Sequence, residues 1–292
     1  MDGLYLYESL IFHLSVEMKL IHLTDPHLVT PGEELHGLDP LERFNAAIDS
    51  INEQHPDADL CVITGDLAHT AQADAYVALE QSIKRLKPKC YFIMGNHDKR
   101  ELLFAQFPDL QRDENGYIQF CLPTASGNFF MLDSIEKGTH QGVYCSKRRD
   151  WLKQQLEQTE DTDAFLFMHH PPFKIGLASM DAIGVRDEDA AALGDLLDEF
   201  DNVRHIFFGH LHRPLSGSWR GISFSTIRAT NHQVWLDFNQ TDHIPGSHEP
   251  PAYAIALIEH DQIVIHTHDF MDASPKFSLG SWDYEAWLQE NS

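Results

Sequence analysis

Five short apolar runs, each followed at once by residues that can ligate a metal, constrain this chain more than any other feature. The runs are Lys19–Thr24, Leu60–Thr64, Cys90–Met94, Ala164–Met168 and His205–Phe208. Each has strand length and is bounded by turn residues. The junctions after them read TDPH (24–27), TGD (64–66), GNHD (95–98), HHPP (169–172) and GHLH (209–212). In open α/β sheets, ligands bind outside the carboxyl ends of the strands. Here those ends carry Asp25, His27, Asp66, Asn96, His97, His169, His170, His210 and His212. Random placement would scatter such residues over helices and surface instead.

The stretches between the runs supply the helices. Asp39 followed by Pro40 reads as an N-cap with proline at the first helical position. Leu41, Phe44, Ile48 and Ile51 then form an apolar face at helical spacing. Further helices are expected over 72–86, 147–158 and 187–200. The last presents Leu193, Leu196, Leu197 and Phe200 as its buried stripe. Segments 117–122 and 128–133 read as strands with no helix between them. Beyond His212, segments 216–238 and 252–270 alternate apolar and polar residues, as half-buried antiparallel strands do. The turn-rich NQTDHIPGSHEPP between them is a loop. The expected architecture is one α/β domain over 18–275, with sheets packed face to face and helices outside. Residues 1–17 form an appendage and 276–292 a peripheral tail.

The spacings suit a metal site. Asp25 and His27, like His210 and His212, stand at i and i+2 at a strand end, so both can point to one side. Gly65, Gly95 and Gly209 let the backbone turn and approach closely. Carboxylate, amide oxygen and imidazole without thiolate suit manganese, iron, zinc or cobalt better than calcium or copper(I). Any one junction is a weak signal, but five in this order, each after an apolar run, are not.

Taken together, the junctions resemble the calcineurin-like metallophosphoesterases, whose pattern is DxH, GDxx, GNHD/E, H and GHxH in that order. The resemblance runs from Asp25 to His212. It implies a four-layer α/β/β/α sandwich of two mixed sheets and a site for two divalent metal ions. Carried over by position, Asp25, His27, Asp66 and His212 hold one ion. Asp66, Asn96, His169 and His210 hold the other, with Asp66 bridging. His169 is chosen over the adjacent His170 because the family ligand usually lies two residues before the proline, here Pro171; His170 stays the alternative. GDLAH and GNHDKR resemble the class III cyclic-nucleotide phosphodiesterases and the related glycerophosphodiesterases. They do not match the GDxxDRG and GNHE of protein serine/threonine phosphatases.

The expected function is therefore hydrolysis of a small phosphodiester by a metal-bridging hydroxide. Two divalent ions against two aspartates and a hydroxide leave about one positive charge for the substrate. His97, beside the ligand Asn96, is the candidate to protonate the leaving alkoxide or to clamp a phosphoryl oxygen. Asp98 would hold its ring in one tautomer or cap the turn. Asn96, His97 and His232 are the expected substrate contacts; His232 follows His212 at a spacing like that of a substrate-side histidine in the glycerophosphodiesterases. His22 reads as a packed strand residue, and His69 as facing the site or capping a turn. His140, His243 and His248 read as solvated loop residues. A phosphomonoesterase or nucleotidase could use the same metals, and a non-catalytic scaffold of this fold would have lost ligands that are all present here.

Bulk properties narrow the partners. The formal net charge of -24 leaves no basic footprint for long nucleic acid and disfavours anionic membranes. No apolar stretch approaches the ~20 residues of a membrane span. The N-terminal MDGLYLYESLIFHLSVE lacks the basic start and small-residue cleavage site of a signal peptide. Cys61, Cys90, Cys121 and Cys145 form no CxxC pair and demand no oxidising compartment. A cytoplasmic enzyme is expected. A homodimer is expected as well, through the loop 238–251 with Ile244, Pro245, Pro250 and Pro251.

Overall fold

A computed structural model of the chain describes residues 17–279 and Gln289. The expected appendage, apart from Glu17, and the tail beyond 279 lie outside the described residues.

The first sheet contains β1 (Met18–Leu23), β2 (Leu60–Thr64) and β3 (Lys89–Ile93) as a parallel set. It is extended antiparallel by β12 (Tyr253–Ile258) and β13 (Ile263–His268), in the order β13-β12-β1-β2-β3. The second sheet contains β4 (Phe120–Thr124), β5 (Gly127–Met131), β6 (Ala164–Met168), β7 (Val203–Phe208), β8 (Leu215–Trp219) and β9 (Ile222–Thr226). Its order is β4-β5-β6-β7-β9-β8, with β5, β6, β7 and β9 parallel and the two edge strands antiparallel.

Helices α1 (Pro40–Gln54), α2 (Ala73–Ile83) and α3 (Arg100–Gln106) cover the first sheet. Helices α4 (Ser146–Gln158) and α6 (Asp187–Leu197) cover the second, and a single turn, α5 (Ala178–Asp181), lies between them in the chain. Strand pleating explains the layers. In β1, Ile21 and Leu23 face the α1–α3 helices while Leu20 joins Val62, Phe129, Phe165, Phe167 and Phe207 between the sheets. Strands buried on both faces read as unbroken apolar runs, which is why AFLFM, buried along its whole length, carries no polar residue. Each buried phenylalanine of that middle layer contributes about 2–3 kcal/mol. The layers are α/β/β/α, as expected.

Helix α1 starts where the sequence requires. The Asp39 carboxylate accepts from Leu41 N at 2.9 Å and Glu42 N at 3.0 Å, with Pro40 in the first turn. Such a cap is worth about 1 kcal/mol. Helices expected to reach residues 86 and 200 end at Ile83 and Leu197 instead. Helix α3, on which the sequence pattern is silent, begins directly after GNHD. The expected strand 216–238 breaks after Thr226. Residues 227–232 run as irregular chain, and pairing resumes at β10 (Gln233–Val234) against β11 (Gly246–Ser247) inside the expected loop. Among the described residues no helix is long and apolar enough to cross a membrane.

Candidate metal centre

The carboxyl ends of β1, β2, β3, β6 and β7 come from both sheets and meet at one rim. Backbone bonds sew the ends together: Asp25 N donates to Gly65 O (3.2 Å), His27 N to Asp66 O (2.9 Å) and Gly209 N to His169 O (3.2 Å). His210 N reaches across the sheets to both Asp25 carboxylate oxygens at 3.1–3.2 Å.

The chain is strained where these residues sit. Among the described residues, the non-glycine positions with positive φ are Asp25, His27, His36, Asp66, Ala71, His210, His212 and Arg220. Five of the eight are expected ligands, and left-handed backbone at such residues costs of order 1–3 kcal/mol each. Gly65 takes φ +97°, and a methyl group there would strike His169 Nδ1 and Gly95 N. A methyl group at Gly95 would overlap the Asp66 carboxylate. Both glycines are demanded by close approach of the two loops.

The donor atoms form two connected lobes. In the first, atoms of Asp25, His27, Asp66 and His212 all lie within 4.8 Å of one another and all four residues are buried. In the second, Asn96 Oδ1 stands 3.0 Å from both His169 Nε2 and His210 Nδ1. Asp66 Oδ2 joins them, 3.4 Å from His27 Nε2 and 3.5 Å from His169 Nε2.

The hydrogen positions show what belongs there. His212 Nδ1 donates to the His232 carbonyl (2.9 Å) and His169 Nδ1 donates to the Thr64 carbonyl (2.7 Å). Each neutral ring therefore turns a bare Nε2 inward. His212 Nε2 meets His27 Nε2 at 3.1 Å and Asp25 Oδ1 at 3.4 Å. Asn96 Nδ2 faces His140 Nδ1 at 2.9 Å, leaving its oxygen toward the centre. Lone pairs facing lone pairs in a dry site require cations between them. A proton can play that part on His169: burial opposes its charge, but Asp66 and Asp25 carry its pKa up to about 9. Burial likewise opposes ionisation of Asp66, yet His169, His27 and His97 hold its carboxyl well below the usual range. The residues fit a pair of divalent ions sharing Asp66.

Around this core stands a second tier of imidazoles. His97 N donates to Asp66 Oδ1 (2.9 Å), and its Nδ1 donates to the His69 carbonyl (2.7 Å). The His69 ring stacks on His97 with centroids 5.0 Å apart, and its Nδ1 shares a 3.2 Å hydrogen bond with His27 Nδ1. Burial pushes His69 down to about 4. Burial, reinforced by His212, His36, His69 and His97, pushes His232 down to about 2. His232 lies 4.8 Å from the His212 ring and 4.6 Å from His36. A cavity of about 310 Å³ opens here, between these imidazoles and an apolar wall of Met180, Ile183, Val234 and Ile244.

Several expectations are corrected. Asp98 takes the second of its two expected roles, capping the turn at Gly95, and does not hold the His97 ring, because the His69 carbonyl occupies Nδ1. Its buried carboxylate accepts instead from Gly95 N (2.8 Å), Leu67 N (3.0 Å), Ala68 N (3.1 Å) and Tyr76 Oη (3.0 Å). It clamps the GD loop to the GN loop. Burial and the Asp66 charge push it up to about 6 against those donors. His140 is exposed in its loop, as expected, and also reaches the site: its ring lies 5.2 Å from His97, and its carbonyl accepts from His170 Nε2 (3.1 Å). With Nδ1 on Ser134 Oγ at 2.8 Å, His170 has both nitrogens engaged by protein. The arrangement therefore turns His169, rather than His170, toward Asp66 and Asn96. His243 does stay exposed, bonded to Asp242, while His248 donates to the His36 carbonyl (3.0 Å). His36 is a residue the sequence did not flag; only the folding of 227–232 beside it brings it to the site.

The calcineurin-like phosphoesterase family model matches residues 18–214. A probable cyclic nucleotide phosphodiesterase of Rhodopseudomonas palustris is 42% identical over 265 residues, covering 90% of this chain and 96% of its own. A probable glycerophosphodiester phosphodiesterase of Arcobacter nitrofigilis is 29% identical, covering 86% and 92%. Among solved structures, the purple acid phosphatase of yellow lupin seeds aligns with a TM-score of 0.59 at 12% identity. That alignment spans 90% of this chain and 57% of the lupin chain and shows likeness of fold.

Proposed function

Because the chain belongs to the calcineurin-like phosphoesterase family, we infer that it hydrolyses small phosphodiesters, with cyclic nucleotides as the substrate class. The observation that carries this reading is the two-lobed cluster of buried carboxylate, amide and imidazole groups opening into a cavity lined by imidazoles and by apolar side chains. Asp25, His27, Asp66 and His212 would hold one divalent ion, and Asp66, Asn96, His169 and His210 the other. Manganese, iron, zinc and cobalt suit these donors. When bound, the ions supply Lewis acidity toward the phosphate and toward water. They also reverse locally the field of a protein with net charge -24.

The chain's own groups do the rest. With Nδ1–H fixed on the His69 carbonyl, His97 presents Nε2 to the substrate. As an imidazolium it delivers a proton from Nε2 to the departing alkoxide, while the carbonyl stabilises the charge. His232 stays neutral; Asn231 Nδ2 donates to its Nδ1 at 3.3 Å, so its Nε2–H is free to hold a phosphoryl oxygen. Asn96 Nδ2 offers a second donor beside it. Met180, Ile183, Val234 and Ile244 favour a flat apolar group such as a nucleobase over glycerol. The relative at 42% identity, itself named a probable cyclic nucleotide phosphodiesterase, supports that choice.

The test is a substrate panel run with the metals present on isolation: bis-p-nitrophenyl phosphate, the mono ester, cyclic nucleotides and glycerophosphodiesters. Diester turnover with kcat/KM highest for a cyclic nucleotide is expected. Preference for the mono ester would replace this reading with a phosphomonoesterase.

Self-association as a homodimer is part of the proposal. Trp235, Leu236 and Phe238 are exposed close together in the chain at the entry to the 238–251 loop, an apolar stretch on an otherwise acidic protein. A monomeric mass by light scattering at micromolar concentration would remove it. Four unpaired cysteines suit a reducing cytoplasm; recovery of the enzyme outside the cytoplasmic fraction would count against that location.

A further inference from the structure

We propose that a directed chain of hydrogen bonds, His22 to Thr64 to Thr24, positions the Asp25 carboxylate and sets the affinity of the Asp25 half of the centre for its cation. The proposal rests on the two-cation reading above.

The direction of each bond follows from what its atoms can do. Thr24 Oγ1 lies 2.5 Å from Asp25 Oδ2, and a carboxylate only accepts, so Thr24 donates its single proton there. The 2.7 Å contact between Thr64 Oγ1 and Thr24 Oγ1 then needs the Thr64 proton, for which the Leu23 carbonyl at 3.5 Å is the weaker acceptor. With that proton committed, Thr64 Oγ1 can only accept from His22 Nε2, 2.8 Å away. His22 is thereby fixed as the Nε2–H tautomer. Its Nδ1 is left bare, buried and without a hydrogen-bond partner.

All three donors point the same way, toward one oxygen of a metal ligand. Aligned bonds of this kind polarise one another. Thr24 on Oδ2, together with His210 N, which reaches both oxygens, fixes the carboxylate plane and leaves Oδ1 facing His212 Nε2 at 3.4 Å. Thr64 also touches the other lobe, since its carbonyl accepts from His169 Nδ1. The chain is held tight from the second sheet: a methyl group at Gly209 would collide with Thr24 Oγ1 and the Thr64 carbonyl. His22 itself sits between the sheets, edge-on to Phe207 at 5.4 Å. Burial keeps it neutral, which preserves the single N–H the chain requires.

The test measures metal binding by the full-length, chelator-stripped protein with Co2+ as probe, read by competition with a chromophoric chelator and by the visible absorption bands. Thr24→Val, isosteric but without the hydroxyl, should weaken one of the two ions about 10–100-fold and shift its bands, the usual range for groups that orient metal ligands. Thr24→Ser should bind like wild type. His22→Phe should weaken the same ion by a smaller factor, and His22→Gln, whose Nε2 can donate from a similar place, should restore it. Valine and phenylalanine variants that bind both ions within twofold of wild type, with unchanged bands, would overturn the proposal. So would a serine variant as weak as the valine one. If Thr24→Val does not fold, the two His22 variants decide by the same criteria. Wild-type protein that takes up no Co2+ would overturn the two-cation reading itself, a different result from variants that match a metal-binding wild type.

Discussion

Asp98→Asn should damage the frame of the site rather than the chemistry of His97. The native carboxylate takes four donors, two on each oxygen: Ala68 N and Tyr76 Oη on Oδ1, Leu67 N and Gly95 N on Oδ2. An asparagine has one acceptor oxygen, so in either flip two donors lose their acceptor and meet an NH2 group. Hydrogen bonds to a charged partner are worth about 1.5–3 kcal/mol each, which puts the gross loss at about 3–6 kcal/mol. Burial and the Asp66 charge, which push Asp98 up to about 6, work the other way, and the neutral side chain escapes them. The net cost is therefore about 2–4 kcal/mol when two bound cations offset the Asp66 charge, and smaller in stripped protein. Urea unfolding followed by tryptophan fluorescence, with and without metal, reads both numbers. Tyr76→Phe should lose about 1–2 kcal/mol in the same assay, since it removes one of the four donors. A variant with wild-type stability and a kcat loss equal to that of His97→Ala would refute the clamp and restore Asp98 as the orienter of His97.

Three further outcomes follow from the geometry. Asp66→Ala removes the oxygen shared by both lobes, so elemental analysis should find fewer than two ions per chain, and diester turnover should fall by about 10³-fold or more; full metal content with near-normal turnover would exclude a shared ligand. His97→Ala should keep its metal and lose kcat by about 10²–10⁴-fold on diesters with poor leaving groups, but much less on nitrophenyl esters; equal losses would mean that His97 clamps the phosphate rather than protonating the leaving group. His205, whose ring nitrogens contact Ser223 and Ser225, is held by burial at about 4 against an ordinary 6.5. Below 6.5 the unfolded chain takes up a proton that the folded one refuses, so its contribution is complete above 6.5 and falls by about 3 kcal/mol as pH drops toward 4. His205→Asn should flatten this part of the stability profile measured by urea unfolding at pH 7.5, 5.5 and 4.5.

The sequence alone determined the order along the chain of the strands and of the residues that meet at their rim. An apolar run that ends in Asp, Asn or His can be read without any tertiary contact, because the strand period and the turn that ends it are local. Asp25, His27, Asp66, Asn96, His169, His210 and His212 were therefore legible, as was the Asp39 cap of the first helix. What only the folded molecule decided is which atoms face each other across large separations in the chain. Asp98 and His97 are neighbours in sequence, yet the ring bonds to the carbonyl of His69 and the carboxylate to Gly95, Leu67, Ala68 and Tyr76. His140 and His36 carry no local signal of a site, since nothing in a loop's composition says which rim it closes over. The strand expected through 227–232 failed for the same reason: its alternation is genuine, but hydrogen bonds from Ala229 N to the Gln233 side chain and from Gln233 back to the Ala229 carbonyl hold a turn there and set His232 beside His212 and His36. Side-chain tautomers, and with them the direction of the chain from His22 to Asp25, depend on where every neighbouring proton goes, a property of the packed structure and not of any segment of the sequence.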